Sequence, residues 1–307
     1  MTTMPVASPG LLPTPQTVSQ QLISGITTDQ AQQATLEEEI SSGITINQPS
    51  NNPALTAQYL TLNAGLTRAG QYVSNATDGE GWLQEGTSTL NQAMSVLQNV
   101  EQAVISVSGQ SLAGQKGAIT GISAQVSAGL QELTDLSNTT YDGQYIFSGT
   151  SSQPPYDAAG NYVGTADVPS RTVAPSTTVN VAIPGSAAFG TGSTGLLGTS
   201  GILSQIVTAL HGSNPTTAVA PLLGNLQAAM STTAAAAATL GANYQNMQTF
   251  TAQATATQQA LQTEIGTMVD VNLPQATTQL TAAQESYQAA LWAVSQISQD
   301  SLVNFLS

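Results

Sequence analysis

The stretch LTAQYLTLNAGLTRAGQYVSNATDGEGWLQEGTSTLNQAMSVLQNVEQAV, residues 55–104, decides the fold. Stepping alternately by four and three from Leu55 lands on Tyr59, Leu62, Leu66, Ala69, Val73, Ala76, Glu80, Leu83, Thr87, Leu90, Met94, Leu97, Glu101 and Val104. Only Glu80, Thr87 and Glu101 interrupt the apolar series. An average spacing of about 3.5 residues is the coiled-coil period. An unbroken helix of this length would run about 75 Å at 1.5 Å per residue. Asp78-Gly79-Glu80-Gly81 is the expected break, an acidic turn, because two glycines weaken a helix. So long a stripe cannot be buried by its own helix and demands partner helices.

Working outward, Asn52 is a good N-cap and Pro53 suits the first helical position, so the helix starts there. The linker Asn47-Gln48-Pro49-Ser50-Asn51-Asn52-Pro53 separates it from a helix beginning near Thr17, with Gly43 at its C-terminal cap. That first helix carries an imperfect seam of Leu22, Ile26, Asp29, Gln33, Leu36 and Ile40. Residues 1–16 hold four prolines and read as a mobile arm. Past a Gly109–Gly117 turn, Ile119, Ile122, Val126, Leu133 and Leu136 mark a third helix ending near Asn138.

Residues 141–201 have another texture. Short alternating runs, Tyr145-Ile146-Phe147, Arg171-Thr172-Val173 and Thr178-Val179-Asn180-Val181, sit between turn residues and predict strands and hairpins. The Gly/Ser/Thr-rich run 190–201 reads as a closing linker. Helix returns at Ile202–Leu210 and again after Pro215. A second seam runs through Leu240, Tyr244, Met247, Thr251, Ala254, Gln258, Leu261, Ile265 and Met268. Pro274 marks a boundary before a last helix with Leu280, Tyr287, Leu291, Val294, Ile297, Leu302 and Phe305.

The expected fold is therefore mainly α: an elongated antiparallel helical bundle or coiled-coil rod from N- and C-terminal segments, with a small inserted β-rich domain. The expected domains are the arm 1–16, a terminal helical domain 17–52 plus 269–307, a rod 53–140 plus 202–268, and the insert 141–201. The terminal stripes have little to cover them in a monomer. Leu22, Ile26, Leu36, Ile40, Leu280, Tyr287, Leu291, Val294, Ile297, Leu302 and Phe305 are the candidate assembly surface.

Composition excludes several roles. The 307 residues are 40% apolar but only 7% charged, with 3 Lys plus Arg against 17 Asp plus Glu and a net charge of −14. Arg68, Lys116 and Arg171 are too few and too scattered for a phosphate-binding face, which excludes nucleic acid and disfavours anionic membranes. With no cysteine there are no disulfides, thiol catalysis or thiolate metal sites. No window is apolar enough to span a bilayer, and residues 1–20 lack the pattern of a cleavable signal. The few ions and a pI near 4.1 suit acidic surroundings.

Chemistry is sparse. His211 is the sole histidine, beside Gly212 and Pro215, and reads as a loop residue rather than a Ser–His–Asp member or zinc ligand. Gly109–Lys116 lacks the Gly-Lys-Ser/Thr ending of a phosphate loop. Glu37-Glu38-Glu39 and the Asp78/Glu80 pair lack calcium-loop spacing. Asn75-Ala76-Thr77 and Asn138-Thr139-Thr140 match the glycan acceptor pattern, but Ala76 lies on the seam. No catalytic residue, cofactor site or metal site is expected, and no enzyme.

The order helices, β insert, helices resembles the bacterial flagellin family. Ile40-Ser41-Ser42-Gly43-Ile44-Thr45-Ile46-Asn47-Gln48-Pro49-Ser50-Asn51-Asn52-Pro53 is similar to that family's turn between terminal and core helices. Ile44 and Asn51-Asn52 replace its usual basic residue and paired aspartates. Leu240-Gly241-Ala242-Asn243-Tyr244, Asp270-Val271-Asn272-Leu273-Pro274-Gln275-Ala276 and Leu280 to Leu306 resemble the family's C-terminal run. Asn138-Thr139-Thr140-Tyr141-Asp142-Gly143-Gln144-Tyr145-Ile146-Phe147-Ser148-Gly149-Thr150 is closest to the family's hook–filament junction members. The resemblance implies a secreted structural adaptor that self-assembles in a ring or helix, with the β domain outermost. It would join the hook, through hook-associated protein 1, to the flagellin filament. It further implies an export chaperone and an extracellular place on the flagellum, reached without a cleavable signal peptide. The alternatives are flagellin itself or a secreted coiled-coil adhesin or effector.

Overall fold

A computed structural model of the chain describes residues 15–50, 52–108 and 116–306. Among them are seven α-helices: α1 (Pro15–Ser42), α2 (Pro53–Ser108), α3 (Lys116–Ser137), α4 (Gly185–Phe189), α5 (Ile202–Leu210), α6 (Pro215–Val269) and α7 (Leu273–Leu306). The four short strands are β1 (Thr140–Tyr141), β2 (Gln144–Tyr145), β3 (Ser170–Ala174) and β4 (Thr177–Asn180). The mainly helical fold with a small β insert is thus the one expected. Residues 1–14 of the proline-rich arm and residues 109–115 of the glycine turn lie outside the described residues.

The helix ends form as their residues dictate. Gly43 adopts φ 75° and its N–H donates to Glu39 O at 2.8 Å, the left-handed cap that glycine takes without Cβ strain. The side chain of Asn52 accepts the Leu55 N–H at 3.1 Å, the third-residue bond of an N-cap. Asn272 does the same for Gln275 at 3.3 Å, and Pro274 in the first turn has no amide that could be missed.

The chain divides into two compact units, one of residues up to Gly65 with those from Ala260 onward, the other Leu66–Gln259. The Leu66–Gln259 unit holds one contiguous apolar core. Its α2 and α6 segments run antiparallel, as the Glu80–Thr251 and Glu101–Gln227 bonds show. All fifteen α2 seam positions and all nine α6 seam positions are buried or half-buried. Two of the polar exceptions have partners on α6: Glu80 accepts the Thr251 hydroxyl at 2.5 Å and Glu101 accepts from Gln227 at 2.8 Å, while Thr87 donates to Leu83 O within α2 at 2.8 Å.

The expected break at 78–81 does not occur. α2 runs through it, because Gly79 and Gly81 are points of close approach instead of hinges. A Cβ on Gly79 would fall 2.5 Å from the Met247 methyl, and one on Gly81 would strike the Tyr141 phenol. The helix gives up a little propensity at each glycine and gains room for α6 and the insert. Asp78 is likewise no turn residue: its carboxylate takes the Arg171 Nε–H at 2.6 Å. The Arg171 guanidinium also lies 5.7 Å from the centre of the buried Trp82 ring.

The insert is two hairpins and packed irregular chain. β1 and β2 pair antiparallel through Asp142 and Gly143, both at positive φ, the geometry of a two-residue hairpin turn. β3 and β4 pair antiparallel with an irregularity between Thr172 and Ala174. The expected strand 145–147 ends at Tyr145; Ile146 and Phe147 turn inward and are fully buried. Phe147 meets Phe189 edge to face at 5.2 Å. The run 190–201 is not a linker. Leu196 and Leu197 are buried, and Leu196 N–H donates to Phe189 O at 2.8 Å. Its small residues let backbone pack on backbone: a side chain at Gly198 would run into Ala159 and Gly160.

Candidate assembly surface

In the terminal unit α1 and α7 lie side by side, antiparallel. Gln33 donates to Ala283 O at 2.9 Å, Gln30 to the Tyr287 hydroxyl at 3.0 Å, and Ser286 to Asp29 at 3.1 Å. With so few ions in the chain, amides and hydroxyls supply the cross-helix polar contacts. The two linkers are zipped together. Ile44 bridges Asp270, Thr45 N–H donates to Val269 O at 2.7 Å, and Val271 N–H donates to Gly43 O at 3.0 Å. Segments some 225 residues apart in sequence thus share backbone hydrogen bonds.

This pairing leaves much apolar surface uncovered. Leu36 is buried, together with Ala276 and Ala283. Ile26, Ile40, Leu280, Tyr287 and Val294 are half-buried, and Leu291 is 42% exposed. The side chains of Leu22, Ile297, Leu302 and Phe305 lie outside the described residues. Seven large apolar side chains are exposed among the described residues, and five belong to this unit: Ile23, Leu60, Leu273, Leu291 and Trp292. Trp292, at 75% exposure, is the most open of them. Heptad reasoning passes over it because it sits one residue off the Leu291 seam position. An apolar residue outside the stripe of an amphipathic helix is the signal that would have found it.

The remaining candidates carry no constellation. Glu37 and Glu38 are exposed on α1. His211 is exposed in the turn before α6, and its Nε2 lies 2.9 Å from the Ser123 hydroxyl. Asn75 donates to Thr172 O at 2.9 Å and so ties α2 to the insert. Among the described residues no three or more His, Asp or Glu side chains are grouped to hold a metal ion, and no helix is long and apolar enough to cross a membrane.

Comparison with known proteins gives a consistent result. The flagellar hook-associated protein 3 of Escherichia coli is 28% identical over 155 residues, 50% of this chain and 48% of that protein. The chain therefore spans about half the length of this relative. Flagellin A of Helicobacter mustelae is 29% identical over a shorter stretch of 115 residues, 36% of this chain and 22% of that protein. A solved Vibrio parahaemolyticus structure, described as that of a flagellar hook-associated protein, superposes with a TM-score of 0.63 at 18% identity. It covers 71% of this chain and 99% of that one, a likeness of fold. The N-terminal helical region of bacterial flagellin matches residues 15–152, and its C-terminal helical region matches residues 223–306. These helical regions flank the insert on both sides, and the chain belongs to the bacterial flagellin family.

Proposed function

We propose that the protein is a structural subunit of the bacterial flagellum, an adaptor that joins the hook to the flagellin filament, and not an enzyme. The observation that carries this reading is the gathering of exposed apolar side chains on the terminal unit, with Trp292 and Leu291 on α7 and Ile23 on α1. Covering them against equivalent helices of sister subunits removes apolar area from water, the main driving force of association. Ile26, Ile40, Leu280, Tyr287, Leu291 and Val294 border that surface, and the seam continues in sequence to Leu22, Ile297, Leu302 and Phe305.

Placement at the junction instead of along the filament is supported by the likeness to the E. coli hook-associated protein, which extends over more of the chain than the likeness to flagellin. The Tyr145-Ile146-Phe147-Ser148-Gly149-Thr150 string supports it as well. The partners in this reading are further copies of the chain, hook-associated protein 1 below and flagellin above, with an export chaperone covering the terminal helices before assembly. Export would pass through the flagellar secretion channel without a cleavable signal. Gold labelling of isolated flagella tests the proposal: label confined to the hook end supports it, and label along the whole filament would mean flagellin. Deleting the gene is expected to leave hooks without attached filaments. Normal filaments in the deletion strain would return the adhesin or effector reading.

A further inference from the structure

A cleft of about 570 Å³ opens between α3, α5 and the insert, wholly within the Leu66–Gln259 unit. Its apolar wall is formed by Leu130 of α3 and the buried Leu197 of the insert. Tyr156 lines it as well. The Tyr156 hydroxyl is engaged with the carbonyls of Gly185 and Gly190, so ring carbon is what it adds to the wall. The polar lining is rich in acceptors. Asp135 of α3 is exposed, and among the described residues its carboxylate takes no hydrogen bond. Asp157 of the insert accepts the N–H groups of Ala159 and Asn161 at 2.9 and 2.8 Å and the Asn161 amide at 3.0 Å. The Asn161 side-chain bond first, then the backbone bonds, hold its carboxyl below the ordinary carboxylate range, so it is ionised at neutral pH. Asn138 also lines the cleft; its Nδ2 donates to Thr134 O at 2.9 Å, but its buried Oδ1 accepts no hydrogen bond. Glu132 stands exposed about one turn before Asp135 on α3.

The chain's own cations are engaged or placed elsewhere. Among the described residues the one ion pair is Arg171–Asp78. Lys116 opens α3 and lies about 28 Å along it from Asp135, at 1.5 Å per residue. His211 is bonded to Ser123, about 18 Å along α3 from Asp135. Arg68 lies about 42 Å along α2 from the Val96 that Gly129 of α3 meets. The cleft thus offers two unpaired carboxylates, on separate elements, beside an aliphatic and aromatic wall, in a space far larger than a bare ion fills. A planar guanidinium donates bidentate bonds to carboxylates and lies well on aromatic faces, and its carbon stem covers apolar surface. We infer that this cleft is a binding site for a guanidinium group on an aliphatic stem, the chemistry of a partner protein's arginine side chain or of a small free guanidine. Asp135 and Asp157 take the head, and Leu130, Leu197 and Tyr156 take the stem. The Thr199 and Ser204 hydroxyls and the Gln131 amide, which bond nowhere else among the described residues, meet the polar atoms around it.

The test titrates the full chain at pH 7 in 20 mM NaCl with three probes, affinity being read from the ligand signals by saturation-transfer NMR. The probes are agmatine, the capped peptide Gly-Arg-Gly, and the same peptide with citrulline, whose neutral urea replaces the guanidinium. Both guanidinium probes are expected to bind at least tenfold tighter than the citrulline peptide. Tighter binding of the arginine peptide than of agmatine assigns the cleft to a partner's side chain, and the reverse order assigns it to a free guanidine. Asp135→Asn is expected to weaken the guanidinium probes at least fivefold. Thr199→Trp, which fills the exposed rim of the cleft and keeps every charge, is expected to do the same, with circular dichroism unchanged in both variants. Asp142→Asn removes the same charge from the exposed β1–β2 turn, at a positive φ that Asn adopts readily, and is expected to leave affinity within twofold. Equal losses in Asp135→Asn and Asp142→Asn would overturn the inference, because net charge alone would then explain binding. So would equal binding of the arginine and citrulline peptides, or no binding of either guanidinium probe at 20 mM. A Thr199→Trp chain that binds as the unaltered chain does would place the site outside this cleft and overturn its assignment.

Discussion

The Leu66–Gln259 unit and the terminal unit both contain antiparallel helix pairs, yet they use their apolar side chains in opposite ways. The first buries Leu83, Leu90, Leu97, Leu133, Phe147 and Phe189 almost completely. In the second, the buried apolar residues among those described are Leu36, Val269, Ala276 and Ala283, two of them alanines. Burial is worth about 25 cal/mol per Å² of apolar surface, so the first unit is stabilised from within. The second leaves Ile23, Leu60, Leu273, Leu291 and Trp292 exposed and gains none of that stabilisation from them. The difference lies in layers. Helix α2 of the first unit has α6 on one flank and α3 and the insert to pack against, whereas α1 has α7.

Substitutions can break or sharpen this contrast. The largest effect is expected in the closed core. Phe147→Ala removes a fully buried ring from its contact with Phe189 and should cost about 3–5 kcal/mol, read from urea unfolding. Gly81→Ala should cost about 1–3 kcal/mol by forcing the Tyr141 ring off α2. An unchanged midpoint would show that the close approach carries no weight.

The next prediction concerns alkaline pH. The Tyr156 hydroxyl faces the carbonyls of Gly185 at 2.5 Å and Gly190 at 2.9 Å. Burial, and secondarily the neighbouring Tyr162, push its pKa well above the ordinary value. A raised folded-state pKa favours the neutral phenol. Its contribution is fully present below the unfolded value of about 10 and is lost as pH rises from there through the folded value. Stability of the Leu66–Gln259 unit should therefore decline above pH 10, and Tyr156→Phe should flatten that decline while costing about 1–2 kcal/mol at neutral pH. A slope identical in the two proteins would remove Tyr156 as its source.

Smaller effects come from the helix ends and the terminal unit. Asn52→Ala should cost about 1 kcal/mol through loss of the α2 cap, with Asn52→Asp restoring it. Trp292→Ser should change monomer stability by less than about 0.5 kcal/mol, since the ring is three-quarters exposed. A large loss in the monomer would mean that Trp292 belongs to an internal core.

Much of the fold was legible because periodicity and caps are local signals. The seam from Leu55 to Val104, the Asn52–Pro53 start and the Gly43 stop depend on neighbours within a few turns. Gly79, Gly81 and the run 190–201 were misread for the complementary reason. A glycine that loosens a helix and a glycine that admits Met247 or Tyr141 look the same until the partner is known. Leu196 and Leu197 likewise sit in a sequence with the texture of a linker. In the terminal unit the buried Leu36 lies on the stripe read from the sequence, but the exposed Trp292 escapes it, because it lies off the heptad count. Asp78 showed only as an acidic residue; its partner Arg171 is 93 residues away.

The hydrogen bonds between 43–45 and 269–271 also set an order of events during synthesis. Every residue of the Leu66–Gln259 core is made ahead of α7, so that core can close before the α1–α7 pair forms. Helix α1 is translated before that core and α7 after it. Helix α1 must therefore wait, unmatched, until the core between the two helices has been made and α7 follows it.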